Sequence, residues 1–154
     1  MNDVIRWANG VEAEQIARII NAAFEIEREL RKGDRTSASR IRDLIERRAV
    51  LVAENDGRLI GAVEVRVDGA VGYFAMLAVD AAARRGGTGR ALVEAAEEHC
   101  RRSGCTVMTM STGEDRAELI PYYEKMGYRV TGIELSTSAA FKRAIRVVKM
   151  EKRL

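Results

Sequence analysis

The residues of this chain best suited to chemistry lie between Leu77 and Arg90. The apolar stretch Leu77-Ala78-Val79 ends at Asp80, and three alanines follow. Next come Arg84 and Arg85, then Gly86, Gly87 and Gly89 clustered around Thr88, then Arg90. Helical spacing starts at once with Ala91, Leu92 and Val93. Glycines at a strand-to-helix junction let backbone N–H groups approach a ligand closely, and the unpaired amides of a helix N-terminus favour an anion there. Arg84, Arg85 and Arg90 add charge of the right sign. The chemical reading is a phosphate cradle; a glycine-rich turn without a ligand is the alternative that the loop alone leaves open. Two phosphate ligands are excluded. No Gly-Lys-Ser/Thr follows at P-loop spacing, and the Gly-x-Gly-x-x-Gly fingerprint of dinucleotide sites is absent.

The elements that must position this loop follow from periodicity. Asp3 to Ala8 reads as a first strand, rich in Val4, Ile5 and Trp7, and Asn9-Gly10 breaks it. From Glu12 onward Ala13, Ile16, Ala17, Ile20 and Phe24 recur at helical spacing. A second helix, capped at Thr36 or Ser37, carries Ile41, Leu44 and Ile45 on one face. Val50 to Ala53 is a buried strand, and Asn55-Asp56-Gly57 is a hairpin turn. The next strand, Leu59 to Val67, alternates, with Glu64 and Arg66 on its polar side. Asp68-Gly69 turns into the strand Ala70 to Val79, which delivers the chain to the glycine loop. After the next helix, Gly104 is a natural stop, and Thr106 to Met110 reads as a strand parallel to the one before the loop. Thr112 to Asp115 supplies turn residues. Pro121 must lie in the first turn of any helix containing it, which puts Tyr122 and Tyr123 early in a short helix ended by Gly127. Tyr128 to Leu135 and Ile145 to Met150 are the last strands. Residues 1–154 read as one mixed α/β domain.

Bulk properties set the frame. The net charge of +3 comes from 26 basic and 23 acidic residues that are interleaved, which argues against nucleic acid, as does an aromatic content of 5%. The longest apolar run, Ala70 to Val79, is far short of the ~20 residues that span a bilayer. No membrane association is expected, and the location expected is cytoplasmic. Cys100 and Cys105 are expected as reduced core thiols, and one His (His99) leaves no metal-type cluster.

Arg84-Arg85-Gly86-Gly87-Thr88-Gly89 resembles the Arg/Gln-x-x-Gly-x-Gly/Ala loop of the GCN5-related N-acetyltransferase (GNAT) superfamily. A second stretch, Tyr122-Tyr123-Glu124-Lys125-Met126-Gly127-Tyr128, is similar to that family's Phe-Tyr-x-x-x-Gly-Phe/Tyr segment, about 34 residues beyond Gly89. The order of elements along nearly the whole chain matches as well. Departures are Ala81 in place of a frequent proline, Gly86 in place of a basic residue, and Arg116 in place of an asparagine. The resemblance implies a central mixed, mostly antiparallel sheet of about six to seven strands flanked by helices.

It also implies acetyl-coenzyme A as acyl donor, and no metal. The pyrophosphate would rest on the amides from Arg85 to Arg90, and the pantetheine arm would run along Leu77, Ala78 and Val79. An amide of Leu77 or Ala78 would stabilise the oxyanion. Attack would be direct, in a ternary complex, so neither cysteine is a nucleophile. By motif position Tyr123 matches the general acid that protonates the departing thiolate, with a packing tyrosine as its alternative. Glu64 is the candidate base, against a solvated strand glutamate. Glu25, Glu27 and Glu29 could attract a cationic substrate, or simply pair with Arg28 and Arg31. Arg116 could meet a carboxylate on the acceptor, or be a surface arginine. The acceptor expected is a primary amine of a small molecule, because the chain shows no appended recognition segment. A protein lysine or N-terminal amine, or a non-catalytic acetyl-coenzyme A-sensing module, is the alternative. A homodimer is the family-level expectation. What selects the amine would lie around Glu25 to Thr36 and Ser136 to Arg143, which the sequence leaves unread.

Overall fold

The computed structural model describes residues 3–84 and 86–154. Among them the chain runs β1 (Val4–Trp7), α1 (Ala13–Ala23), α2 (Ala38–Glu46), β2 (Val50–Asn55), β3 (Arg58–Asp68), β4 (Val71–Val79), α3 (Thr88–Arg102), β5 (Val107–Gly113), α4 (Leu119–Glu124), β6 (Arg129–Ser136) and β7 (Ile145–Arg153). The strands form one seven-stranded sheet in the order β1-β2-β3-β4-β5-β7-β6. All described pairings are antiparallel except β4 with β5. That exception has a local cause: the crossover through α3 returns the chain to the sheet in the same direction, and parallel neighbours need such a crossover.

Each face of the sheet is covered. On one side α1 and α2 bury Ile16, Ile20 and Ile41 against Val50, Val52 and Ala62. On the other, α3 buries Leu92, Val93 and Ala96 against Val63, Val65 and Phe74, with Tyr123, Met126 and Tyr128 completing the layer. Full burial of each such aliphatic side chain stabilises by roughly 1.5–3 kcal/mol. The start of α2 is fixed by Ser37, whose side chain accepts the Arg40 N–H at 3.2 Å.

Several sequence expectations change. The alternation of β3 predicts a polar face, but both of its faces are buried through Val65, because helices cover the sheet centre on both sides. Glu64 is therefore only 4% exposed rather than solvated. Thr112 and Gly113, expected in a turn, belong to β5, which pairs with β7 from Val107 to Gly113. The same pairing carries β7 three residues beyond Met150 to Arg153. β7 lies between β5 and β6 in the sheet. Cys100 and Cys105 are both free and buried, as expected.

The two edges of β4 are irregular in different ways. Its register with β3 shifts, so that Ala78 faces Ala62 while Ala75 faces Glu64. The extra residue is absorbed at Met76, which takes φ 54°. That left-handed conformation costs a non-glycine residue about 1–2 kcal/mol, and buried Met76 is held in it by its core contacts. On the other side, β4 pairs with β5 only from Val71 to Tyr73. Beyond Tyr73 the two strands part. The β5-facing edge of Phe74 to Val79 is left without a strand partner.

Candidate functional site

The parting of β4 and β5 opens a cavity of about 960 Å³. Its walls come from the second half of β4, the start of α3, the end of β5, α4, and loops flanking α1 and β7. The described residues Leu77, Ala78, Val79, Arg84, Gly87, Thr88, Gly89, Arg90 and Tyr123 all line it. Gly86 lines an adjoining hollow together with Arg84 and Thr88. Arg85, expected in the phosphate cradle, lies outside the described residues.

At the loop end, Asp80 caps a single turn over Ala81–Ala83: its side chain accepts the Ala82 N–H at 3.0 Å and meets Arg58 at 3.1 Å. The Ala82 amide, ahead of Arg58, holds the Asp80 carboxyl below its usual range, against the opposing effect of burial. Gly87 is the N-cap of α3 with φ 80°, a conformation glycine adopts without strain. The first intrahelical bond runs from Ala91 N–H to the Gly87 carbonyl at 3.0 Å. The preceding amides of Thr88, Gly89 and Arg90 are thus left over by the helix. A Cβ on Gly89 would stand 2.7 Å from the Tyr122 hydroxyl oxygen, so α3 and α4 meet here at glycine distance. Thr88 does not turn its hydroxyl to the amides: it donates to Asp3 at 2.8 Å and ties α3 to the approach to β1. The Arg90 side chain meets Glu94 at 3.0 Å on the surface.

Tyr123 is 5% exposed, with Phe74 at 5.8 Å and Tyr122 at 5.1 Å between ring centroids. Burial, and then Tyr122, push its hydroxyl well above the usual tyrosine range, with Arg116 pulling the other way. It stays protonated at neutral pH. Tyr128 is committed elsewhere: its hydroxyl donates to Glu97 at 2.6 Å, and Glu97 also receives Lys152 at 3.1 Å. Burial pushes the Cys100 thiol up to about 12, with the neighbouring Cys105 adding to the shift, so it holds no thiolate at neutral pH. His99 packs edge-on against Trp7, outside the cavity.

Glu64 is not brought to this wall. It lies on the α1–α2 side of β3 and is paired with Arg66 at 3.0 Å. The acidic groups that do line the cavity are Glu27 and Asp115. Glu27 is held by Arg116 at 3.2 Å and Arg31 at 3.5 Å. Arg116, read from sequence either as a partner for an acceptor carboxylate or as a surface arginine, spends its donors on Glu27 and Glu118. Sequence reading did not single out Tyr73 for the site, and it left unread the stretches Glu25 to Thr36 and Ser136 to Arg143, which bring Arg31, Arg35 and Phe141 to the cavity as well. They lie in two loops and a strand, more than a hundred residues apart at their extremes, with no shared motif. The loops meet directly: Lys32 N–H donates to Ala140 at 2.8 Å, and Lys142 N–H donates to Leu30 at 2.7 Å.

The profile of the acetyltransferase (GNAT) family matches residues 13–128. A curated relative, the IAA acetyltransferase of Azospirillum brasilense, is 32% identical over 84 residues. That match spans about half of each chain, 53% of this one and 55% of the relative. Among solved structures, the ribosomal-protein-alanine N-acetyltransferase of Brucella melitensis superposes with a TM-score of 0.80 at 23% identity, covering 98% of this chain and 99% of that one. Ard1 of Thermoplasma volcanium gives 0.82 at 19% identity over 100% and 99%. The acetyltransferase yncA of Salmonella typhimurium, solved with acetyl-CoA, gives 0.79 at 22% identity over 100% and 95%. At these identities the structural likeness is one of fold.

Proposed function

The chain belongs to the acetyltransferase (GNAT) family, and on that footing we propose that it moves an acetyl group from acetyl-coenzyme A to the primary amine of a small molecule, by direct attack in a ternary complex. One observation carries the reading. The leftover amides at the start of α3, the unpaired edge of β4 and Tyr123 all border one cavity.

The residues present fit the donor. The N-cap at Gly87 and the side-chain-free Gly89 leave the first turn of α3 open to an anion, and a Cβ at Gly89 would be driven into Tyr122. Arg84 and Arg90 would add charge to that end, and Arg85 belongs to the same cradle by sequence. Leu77, Ala78 and Val79 would hold the amide-bearing arm by main-chain pairing along the free β4 edge. When bound, the donor supplies an acetyl group activated as a thioester. The protein's share is to orient it, to offer a main-chain N–H of Leu77 or Ala78 to the carbonyl oxygen, and to hold a proton on Tyr123 for the departing sulfur. Low dielectric around Tyr123 keeps that proton in place until negative charge develops nearby. Glu64 has no part in this reading, because its carboxylate is buried against Arg66.

The test is an acceptor screen that follows free thiol release with acetyl-, propionyl- and succinyl-coenzyme A. Turnover with the acetyl donor on small amines is expected. Reaction with a longer acyl donor alone would overturn the acetyl assignment. Binding of acetyl-coenzyme A with no amine acetylated would make the chain a non-catalytic sensing module.

A further inference from the structure

The wall of the cavity formed by the two long-range loops carries more positive charge than its acidic neighbours neutralise. Arg31, Arg35 and Arg116 line it, together with Glu27 and Asp115. Glu27 is shared between Arg116 and Arg31, and Arg116 also reaches Glu118. The Asp115 carboxylate is folded against Gly113, where a Cβ would meet its Oδ1 at 2.6 Å. Arg35 has no carboxylate partner among the described residues, and its Nε is buried without a hydrogen bond. The Nε of Arg31 is likewise buried and unpartnered.

A guanidinium does not escape this situation by losing its proton, since its ordinary pKa is far above any working pH. Burying such donors without an acceptor is costly, and each one left so calls for an explanation. The Arg31 guanidinium sits 4.6 Å from the Phe141 ring centroid and that of Arg35 5.3 Å from the Phe24 ring centroid. Stacking of this kind orients a guanidinium and makes no use of its in-plane N–H donors. The pairing of Lys32 with Ala140 and of Lys142 with Leu30 fixes the frame in which both arginines stand.

We infer that the acceptor amine carries a carboxylate, and that Arg35, with Arg31 beside it, receives that carboxylate. The inference rests on the acetyltransferase reading above and names the substrate class for the same cavity: an amino acid or a similar amino carboxylate. One wholly unpaired and one half-engaged guanidinium suit a single planar monoanion bound through paired N–H donors.

The test uses matched sets of acceptors: amino acids, their primary amides and their decarboxylated amines, each followed by thiol release from acetyl-coenzyme A. Acids are expected to exceed the amides in kcat/KM by about tenfold or more, a discrimination in the range of an unsatisfied charged site. In Arg35→Met that preference should fall to within about twofold, chiefly through a higher KM for the acid. Binding is read separately: N-acetylated amino acids should raise the Tm of the wild-type protein, and Arg35→Met should lose that shift. The variant should itself melt no lower than wild type, because it removes a half-buried guanidinium that has no carboxylate partner among the described residues. Amides reacting as well as acids, or an acid preference that survives in Arg35→Met, would overturn the inference. So would an aminophosphonate preferred over the carboxylate of the same chain length. If no amine in any set is acetylated, the acetyltransferase reading falls. The carboxylate inference is then judged on the Tm shift alone, and its absence sinks it.

Discussion

Gly89 and Tyr122 meet at a distance that leaves no room for one methyl group. Gly89→Ala should therefore push the tyrosine ring away from the first turn of α3 and weaken binding of coenzyme A about tenfold, at a cost near 1–2 kcal/mol. Calorimetric titration reads this directly. In Gly89→Ala/Tyr122→Phe the offending oxygen is gone, so part of the affinity should return. Tyr123 poses a different question at the same scale. Its ring packs on Phe74, and phenylalanine would keep that contact. Tyr123→Phe should lower kcat about a hundredfold while leaving the KM for acetyl-coenzyme A within a factor of two. An unchanged kcat would mean that the leaving sulfur takes its proton elsewhere.

At the scale of elements, α3 joins the cavity to the far end of the sheet. Its first turn borders the cavity, and Glu97 in its middle holds Tyr128 and Lys152. Removing that carboxylate strands a buried hydroxyl and a partly buried ammonium. Glu97→Ala should destabilise by about 2–3 kcal/mol and lower Tm by roughly 5–10 °C in thermal denaturation. Ser37→Ala touches only the cap of α2 and should cost about 1 kcal/mol. The parting of β4 and β5 involves no single residue of that kind. It follows from the register shift at Met76 on one edge and from the pairing of β5 with β7 on the other. Neither signal is present in any one strand.

Across the whole molecule, the charged groups away from the cavity set the response to acid. The Arg6 guanidinium, helped by the Asn9 amide, holds the Glu12 carboxyl below its ordinary 4.5, although burial pushes upward. The folded pKa lies below the unfolded one. The stabilising contribution is thus complete above about pH 4.5 and is lost as pH falls further through the folded value. Glu12→Gln should flatten the loss of Tm between pH 5 and pH 3 and leave the pH 7 value lower than wild type. A variant that melts along the wild-type curve throughout that interval would show the Arg6–Glu12 pair to be without consequence.

What the sequence determined by itself was local. The strand, glycine loop and helix around Gly87 and Gly89, the short helix admitted by Pro121, and the parallel crossover before β5 all follow from backbone preferences of neighbouring residues. Those preferences act over a few positions and can be read in order. The tertiary structure alone decided the rest. Alternation along β3 distinguishes two faces but cannot say that helices cover both, so Glu64, read as a candidate base or a solvated glutamate on a polar face, is buried instead. The left-handed Met76 is imposed by its partners in the sheet and the core, not by its own preference. Arg31, Arg35 and Phe141 come together because two loops distant in the chain pair main chain to main chain. That cluster exists only once the pairing has formed.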